Sequence, residues 1–227
     1  MQARQNVVEN EFLLALASSS GVVRAVVGWV DLCSPDFDDQ IAVWGARAEF
    51  VGVRRVLTDE ADDRYMQRRE FGRVLRALAA ANLSYDLLIG PRHVAAALAV
   101  VDAHPELRFV LDHGGLPDVR GGGLALWQPG MGPLAGRGNV ACKLSGLEYM
   151  ADWGRWSPQD LLPYQAAMLD AFGPERIMIG SNWPVCTVAG DYGLAVGASI
   201  NFLEGLSADE RGAILGGTCQ RWYRFGE

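Results

Sequence analysis

The chain has 227 residues, half of them apolar and 21% charged, enough for a sizeable core and too apolar for a disordered chain. Its formal net charge of −7 leaves no basic footprint for nucleic acid, and no uncharged apolar run approaches the ~18 residues of a membrane span. The run FLLALA at 12–17 is short and follows Glu9 and Glu11 rather than basic residues, so it does not read as a secretory leader, and a cytoplasmic chain is expected.

In chain order, a helix-like segment at 8–17 follows Met1-Gln2-Ala3, which reads as the last residues of a strand. Strand-like runs come next at 22–30, 50–57, 85–89, 108–113, 139–145 and 176–182, each short and ending in Gly, Pro or polar residues. Helical periods separate them. Ser34-Pro35-Asp36 supplies an N-cap, an N1 proline and an acidic first turn, with Phe37, Ile41 and Trp44 on one face. Phe71, Val74, Leu75 and Leu78 form a second stripe, Val94, Leu98 and Val101 a third, and Leu161, Tyr164, Met168 and Phe172 a fourth. The glycine-rich stretch from Gly121 to Gly138 reads as a loop carrying at most a short helix around Leu124–Ala135, and Gly130-x-Gly132-x-x-x-Gly136 as loop rather than phosphate cradle. A capping box at Ser207 and Glu210 opens a last helix expected to stop at Gly216-Gly217.

Strands and single-striped helices alternating about every 30 residues predict a parallel sheet covered by helical crossovers. No linker divides the chain, so residues 1–227 read as one domain. A doubly wound sheet would carry a Gly-rich fingerprint after its first strand, and none is present. The fold class is therefore α/β, a (β/α)8 TIM-like barrel that is incomplete, lacking the first βα unit and most of the second strand.

In such barrels chemistry collects at the C-terminal ends of strands. Those ends hold Arg54 and Arg55, Asp112-His113, Lys143 with Ser145, and Ser181-Asn182-Trp183. His113 can ligate metal or act as acid or base, or simply cap backbone groups. Lys143, the one lysine among twenty basic residues, shares a strand face with Ala141 and Ser145 and needs an anionic partner if that face is buried. Arg54 and Arg55 point to opposite faces, so at most one reaches the interior. Trp183 could wall a pocket or simply pack. His93 and His104 read as solvated or helix-end residues, and three histidines do not make a multi-His metal site. Cys33, Cys142, Cys186 and Cys219 form no Cys-x-x-Cys pair and read as small buried hydrophobes.

The segments FVLDHGGLP at 109–117, NVACKLSGL at 139–147 and FGPERIMIGSNWPVC at 172–186 resemble the amidohydrolase-related family of metal-dependent TIM-barrel hydrolases. Within it they are most similar to sugar lactonases of the L-fuconolactonase type. VVGWVDL at 26–32, GVRRVL at 52–57 and RWYRF at 221–225 extend the likeness over nearly the whole chain. The resemblance implies hydrolysis of a lactone by water attack at the ring carbonyl, and a divalent metal such as zinc, or a carboxylate alone, to hold the water. It matches His113 to a late catalytic and metal-binding His, Lys143 and Ser145 to a Lys-Leu-Ser-Gly strand, and Arg54 to a substrate-orienting Arg. Trp183 joins these as a substrate contact.

Two departures stand out. The family's opening His-x-His pair lies before Met1, so the expectation is a start further upstream. Asn182 falls where the family places an Asp, and an amide cannot take a proton from water. Asn182 is thus expected to position water rather than activate it. The alternative is a catalytically impaired barrel that binds a small carboxylate or sugar. The expected partner is a small molecule rather than nucleic acid or membrane, and exposed sheet edges would favour a homo-oligomer.

Overall fold

The computed structural model describes residues 1–226. Six parallel strands form one sheet in chain order, β1 (Val26–Gly28), β2 (Phe50–Val56), β3 (Ser84–Leu88), β4 (Phe109–Leu111), β5 (Val140–Leu144) and β6 (Ile177–Ile179). Helices α1 (Val8–Ser20), α2 (Phe37–Gly45), α3 (Arg69–Ala80), α4 (Val94–Ala103), α5 (Leu124–Ala135) and α6 (Pro158–Phe172) alternate with them. After β6 come α7 (Cys186–Ala189), α8 (Tyr192–Phe202), α9 (Ala208–Gly212) and α10 (Thr218–Tyr223). The result is a curled half-barrel, as an incomplete TIM-like barrel requires. All six expected strands are present; five have narrower bounds, because ladder bonds form only where a strand has a neighbour and the ends peel into turns, and β3 is shifted by one residue to Ser84–Leu88. Beside β1 the Gln2 N–H donates to the Val27 carbonyl at 2.8 Å, the single strand-like bond made by the Met1-Gln2-Ala3 segment. No helix among the described residues is long and apolar enough to cross a membrane.

The sheet separates two apolar layers. Phe50, Val53, Tyr85, Leu87, Phe109, Leu111, Val140, Cys142, Leu144 and Ile177 face outward into the large core shared with the helices. Val27, Val51, Val110, Ala141 and Met178 face inward and pack around Tyr223. One irregularity sets which arginine faces in. Val26 pairs with Phe50 but Val27 pairs with Gly52, so Val51 is the extra residue of a bulge. The bulge shifts the alternation of β2 by one, turning Val53 outward and Arg54 inward.

Several local expectations give way to packing. The helix allowed for at Leu124–Ala135 forms over those bounds as the twelve-residue α5, longer than a short helix and despite Pro129 and Pro133. Trp127, Met131, Leu134 and Ala135 bury a stripe there, and the glycines at 130 and 132 are helical rather than loop. The last helix does not stop at Gly216-Gly217. It passes through a wide turn at Ala213–Gly217, where Gly217 holds helical angles, and continues as α10. His93 and His104 sit at the two ends of α4, as their helix-end reading expected, but both are buried rather than solvated, His93 Nδ1 accepting the Gly90 N–H at 3.2 Å and His104 lying beside Glu106. Cys33 is exposed and Cys219 half-buried, whereas Cys142 and Cys186 are buried as expected.

The α10 extension places Tyr223 against the inner layer, with Trp222 bonded to the Phe109 carbonyl at 3.1 Å and Arg108 to the Trp222 carbonyl at 2.7 Å. The N-terminal end of the half-barrel is thereby plugged, and its C-terminal end holds the polar groups. On the outer face, Phe109 stacks edgewise on Tyr85 at 6.4 Å, and Tyr85 on Phe71 at 5.4 Å. Phe109→Ala should therefore cost about 3–5 kcal/mol, read as a lower urea midpoint with an unchanged m-value.

Candidate active site

Above the inner apolar floor, four charged side chains from four successive strands meet. Arg54 of β2 donates from Nη1 to Asp112 Oδ2 at 2.7 Å, just past β4. Lys143 of β5 donates to Asp86 Oδ2 of β3 at 2.5 Å and lies 2.7 Å from Asp112 Oδ1, the latter an ion pair rather than an aligned hydrogen bond. The Tyr223 hydroxyl donates to Asp86 Oδ2 at 2.7 Å. Arg54 also donates to the Gln2 backbone and side-chain oxygens, and the Gln2 amide returns a bond to the Arg54 carbonyl at 3.1 Å. Both aspartates are fully buried.

Two cations and two carboxylates make this layer neutral, as burial demands. Burial opposes ionisation of Asp112, but Lys143 and Arg54 overcome it and hold the carboxyl well below the usual range. Burial also works against the Lys143 ammonium, and Asp112 and Asp86 more than compensate, raising its pKa. Asp86 is pushed up by burial, with Lys143 pulling the other way. Arg55 points away from the layer and pairs with Glu60 at 2.6 Å.

A second tier lies nearer the mouth. His113 follows β4 in a left-handed turn with φ +53°, continued by Gly114 and Gly115 at φ +58° and +72°. Side chains at these two glycines would collide with Met168 and Met131, so the turn is tied to the outer core. His113 Nδ1 lies 2.8 Å from Ser145 Oγ, and a Cβ at Gly146 would sit 2.8 Å from the same nitrogen. Burial lowers the imidazole pKa to about 4, so His113 is neutral at physiological pH. Across the mouth, Asn182 follows β6 with φ +52° and donates from Nδ2 to Glu148 Oε1 at 3.1 Å. Trp183 is 67% exposed beside it.

The sequence-predicted residues thus divide into two groups. Arg54 and Lys143 belong to the buried layer, with their cationic groups engaged by carboxylates, while His113, Ser145, Asn182 and Trp183 occupy the mouth. Asp86, Glu148, Tyr223 and Gln2 were not anticipated. Asp86 did carry a signal, as the one charge in an apolar strand opposite the face of Lys143. Among the described residues no three His, Cys, Asp or Glu side chains converge as metal ligands. His113 is the only imidazole at the mouth, and Asp112 is consumed by two cations. These residues alone do not fit a resident zinc.

Breaking the layer should be expensive. Lys143→Met leaves two buried carboxylates facing each other, an expected loss of about 3–5 kcal/mol in chemical denaturation. Acid sensitivity has two windows. Asp112 has a depressed folded-state pKa, so its contribution is present above the unfolded value of about 3.9 and is lost as pH falls further. His113 resists protonation until about pH 4, whereas the unfolded chain takes that proton near 6.5, so stability declines as pH falls between those values. The slope from His113 is at most about 1.4 kcal/mol per pH unit. His113→Asn should flatten stability measured from pH 6.5 to 4 without abolishing the slope, because burial also lowers the pKa of His93.

Known proteins resemble this chain in sequence and fold. The amidohydrolase family profile matches residues 1–225. An L-fucono-1,5-lactonase of Burkholderia ambifaria is 38% identical over 226 residues, 96% of this chain and 76% of that protein. An L-fucono-1,5-lactonase of Burkholderia multivorans is 39% identical over 238 aligned positions, 100% of this chain and 80% of the relative. The crystal structure of a Burkholderia multivorans amidohydrolase with bound zinc superposes with a TM-score of 0.93 at 38% identity, covering 99% of this chain and 82% of that one. With a whole-chain family match, relatives of this similarity and a closely superposing solved structure, the protein belongs to the amidohydrolase family.

Proposed function

We propose that this chain hydrolyses a sugar lactone, opening the cyclic ester to the hydroxy acid. The observation that carries the reading is a neutral imidazole clamped by a serine at the mouth of a barrel 38–39% identical to two L-fucono-1,5-lactonases. That similarity favours hydrolysis over the binding-only alternative.

The geometry supports the following roles. With Ser145 donating its hydroxyl proton to Nδ1, His113 carries its own proton on Nε2 and offers it as a hydrogen bond to the lactone carbonyl oxygen. That bond strengthens as the carbonyl becomes a tetrahedral oxyanion, which is where stabilisation accelerates the reaction. The Asn182 amide orients the attacking water, and Trp183 offers an exposed aromatic face to the sugar ring. Lys143 and Arg54, charge-matched by Asp112 and Asp86, floor the site as a polar but neutral layer. An uncharged polyhydroxylated ring suits such a floor better than an anion would.

The crystal structure of the Burkholderia multivorans amidohydrolase contains bound zinc, and a divalent metal is part of the expectation from resemblance. Because the described residues do not supply a ligand set, no step here is routed through a metal.

His113→Ala should lower kcat on L-fucono-1,5-lactone by about 10²–10³-fold, the usual cost of one oxyanion donor, with KM changed far less. The wild-type kcat/KM should show no inflection near pH 6.5 from this histidine, since its pKa lies near 4. Equal activity of the variant, or an inflection near 6.5 that His113→Ala removes, would refute the assignment.

A further inference from the structure

Three carboxylates are buried among the described residues, namely Asp86, Asp112 and Glu148. The first two are neutralised by Lys143 and Arg54. Glu148 differs. It is 5% exposed, makes no ion pair among the described residues, and its one side-chain hydrogen bond is from the Asn182 amide at 3.1 Å. It follows β5 by four residues, on the same rim as His113 and Ser145.

A buried acid with no counter-ion is costly, and groups held at such a cost cluster at functional sites. Burial raises the Glu148 pKa, with Asn182 partly offsetting it, which strengthens the carboxylate as a proton acceptor. The titratable group beside it is the Cys186 thiol, itself raised by burial and by the Glu148 charge, and therefore protonated. Asn182 has no acid–base capacity, yet its amide is held by the carboxylate that has. The two together provide a water-orienting group and a proton acceptor.

We propose that Glu148 is the general base of the lactone hydrolysis, an assignment that rests on the lactonase reading above. As the water oxygen bonds to the carbonyl carbon, one water proton passes to a Glu148 carboxylate oxygen. When the tetrahedral oxyanion collapses and the ring carbon–oxygen bond breaks, Glu148 returns that proton to the departing ring oxygen. One water is consumed and the hydroxy acid leaves.

The test is steady-state hydrolysis of L-fucono-1,5-lactone, followed by proton release, for the wild type, Glu148→Gln and Asn182→Asp. Glu148→Gln preserves shape and an acceptor for Asn182, so folding should survive while kcat falls about 10²–10⁴-fold with little change in KM. The acid limb of the wild-type kcat/KM profile should disappear with it. In Asn182→Asp two carboxyl groups share the site, so the acid limb should move to higher pH by about a unit or more. This second variant decides the matter should Glu148→Gln fail to fold. A Glu148→Gln enzyme with wild-type kcat, or an acid limb unmoved in Asn182→Asp, reduces Glu148 to a brace for Asn182 and overturns the proposal. A wild-type protein inert toward sugar lactones would instead overturn the lactonase reading, and the base assignment with it.

Discussion

Arg54, Asp112, Lys143 and Asp86 form a chain of alternating charges inside the half-barrel, and much of the structure exists to make that chain possible. None of the four could be buried alone, since a lone ion in such a setting costs several kcal/mol. They arrive from β2, from the turn after β4, from β5 and from β3, so the strands must be in register for the charges to meet. The bulge at Val51 turns Arg54 inward, and the continuation of the last helix through Gly217 brings Tyr223 to Asp86. A change to strand register, bulge or C-terminal helix would therefore strand a charge.

The neutral charge layer also divides the interior by function. Beneath it the inner face is apolar and plugged by Tyr223. Above it the mouth is polar and uncharged except for Glu148, with His113 neutral and Asn182 an amide. Such a mouth places little fixed charge against a sugar ring, so hydrogen bonds rather than ion pairs would orient it. A single unpaired carboxylate there stands out against an otherwise balanced background, and its proximity to Asn182 gives the mouth a proton acceptor that the residue after β6 cannot provide.

How much of this was legible in the sequence varies by residue. Lys143 was conspicuous as the one lysine, and period-2 alternation placed it on one face with Ala141 and Ser145, a face the fold turns inward. His113 was marked by its position at a strand end before two glycines. Alternation did not tell Arg54 from Arg55, since it says only that they oppose each other and the bulge that decides between them depends on pairing with β1; only the resemblance singled out Arg54. Asp86 lay inside an apolar run where a charge has to find a partner, but the partner is 57 residues away. Glu148 sits in a loop with no periodic pattern, and only its fold-built contact with Asn182 sets it apart.

By itself the sequence determined the α/β class, the six strands in order, the helical stripes that cover them and the family, because these follow from short-range periodicity and contiguous motifs. It also determined the Asn at position 182 and the scarcity of histidines, which are matters of composition. Tertiary structure alone decided which arginine faces inward, which carboxylates neutralise which cations, that Gly216-Gly217 is passed rather than obeyed, and that Glu148 is left without a counter-ion. The reason is one of range. Local pattern fixes the direction of a side chain relative to its neighbours, whereas electrostatic balance in a buried site is set by groups brought together from strands far apart in the chain.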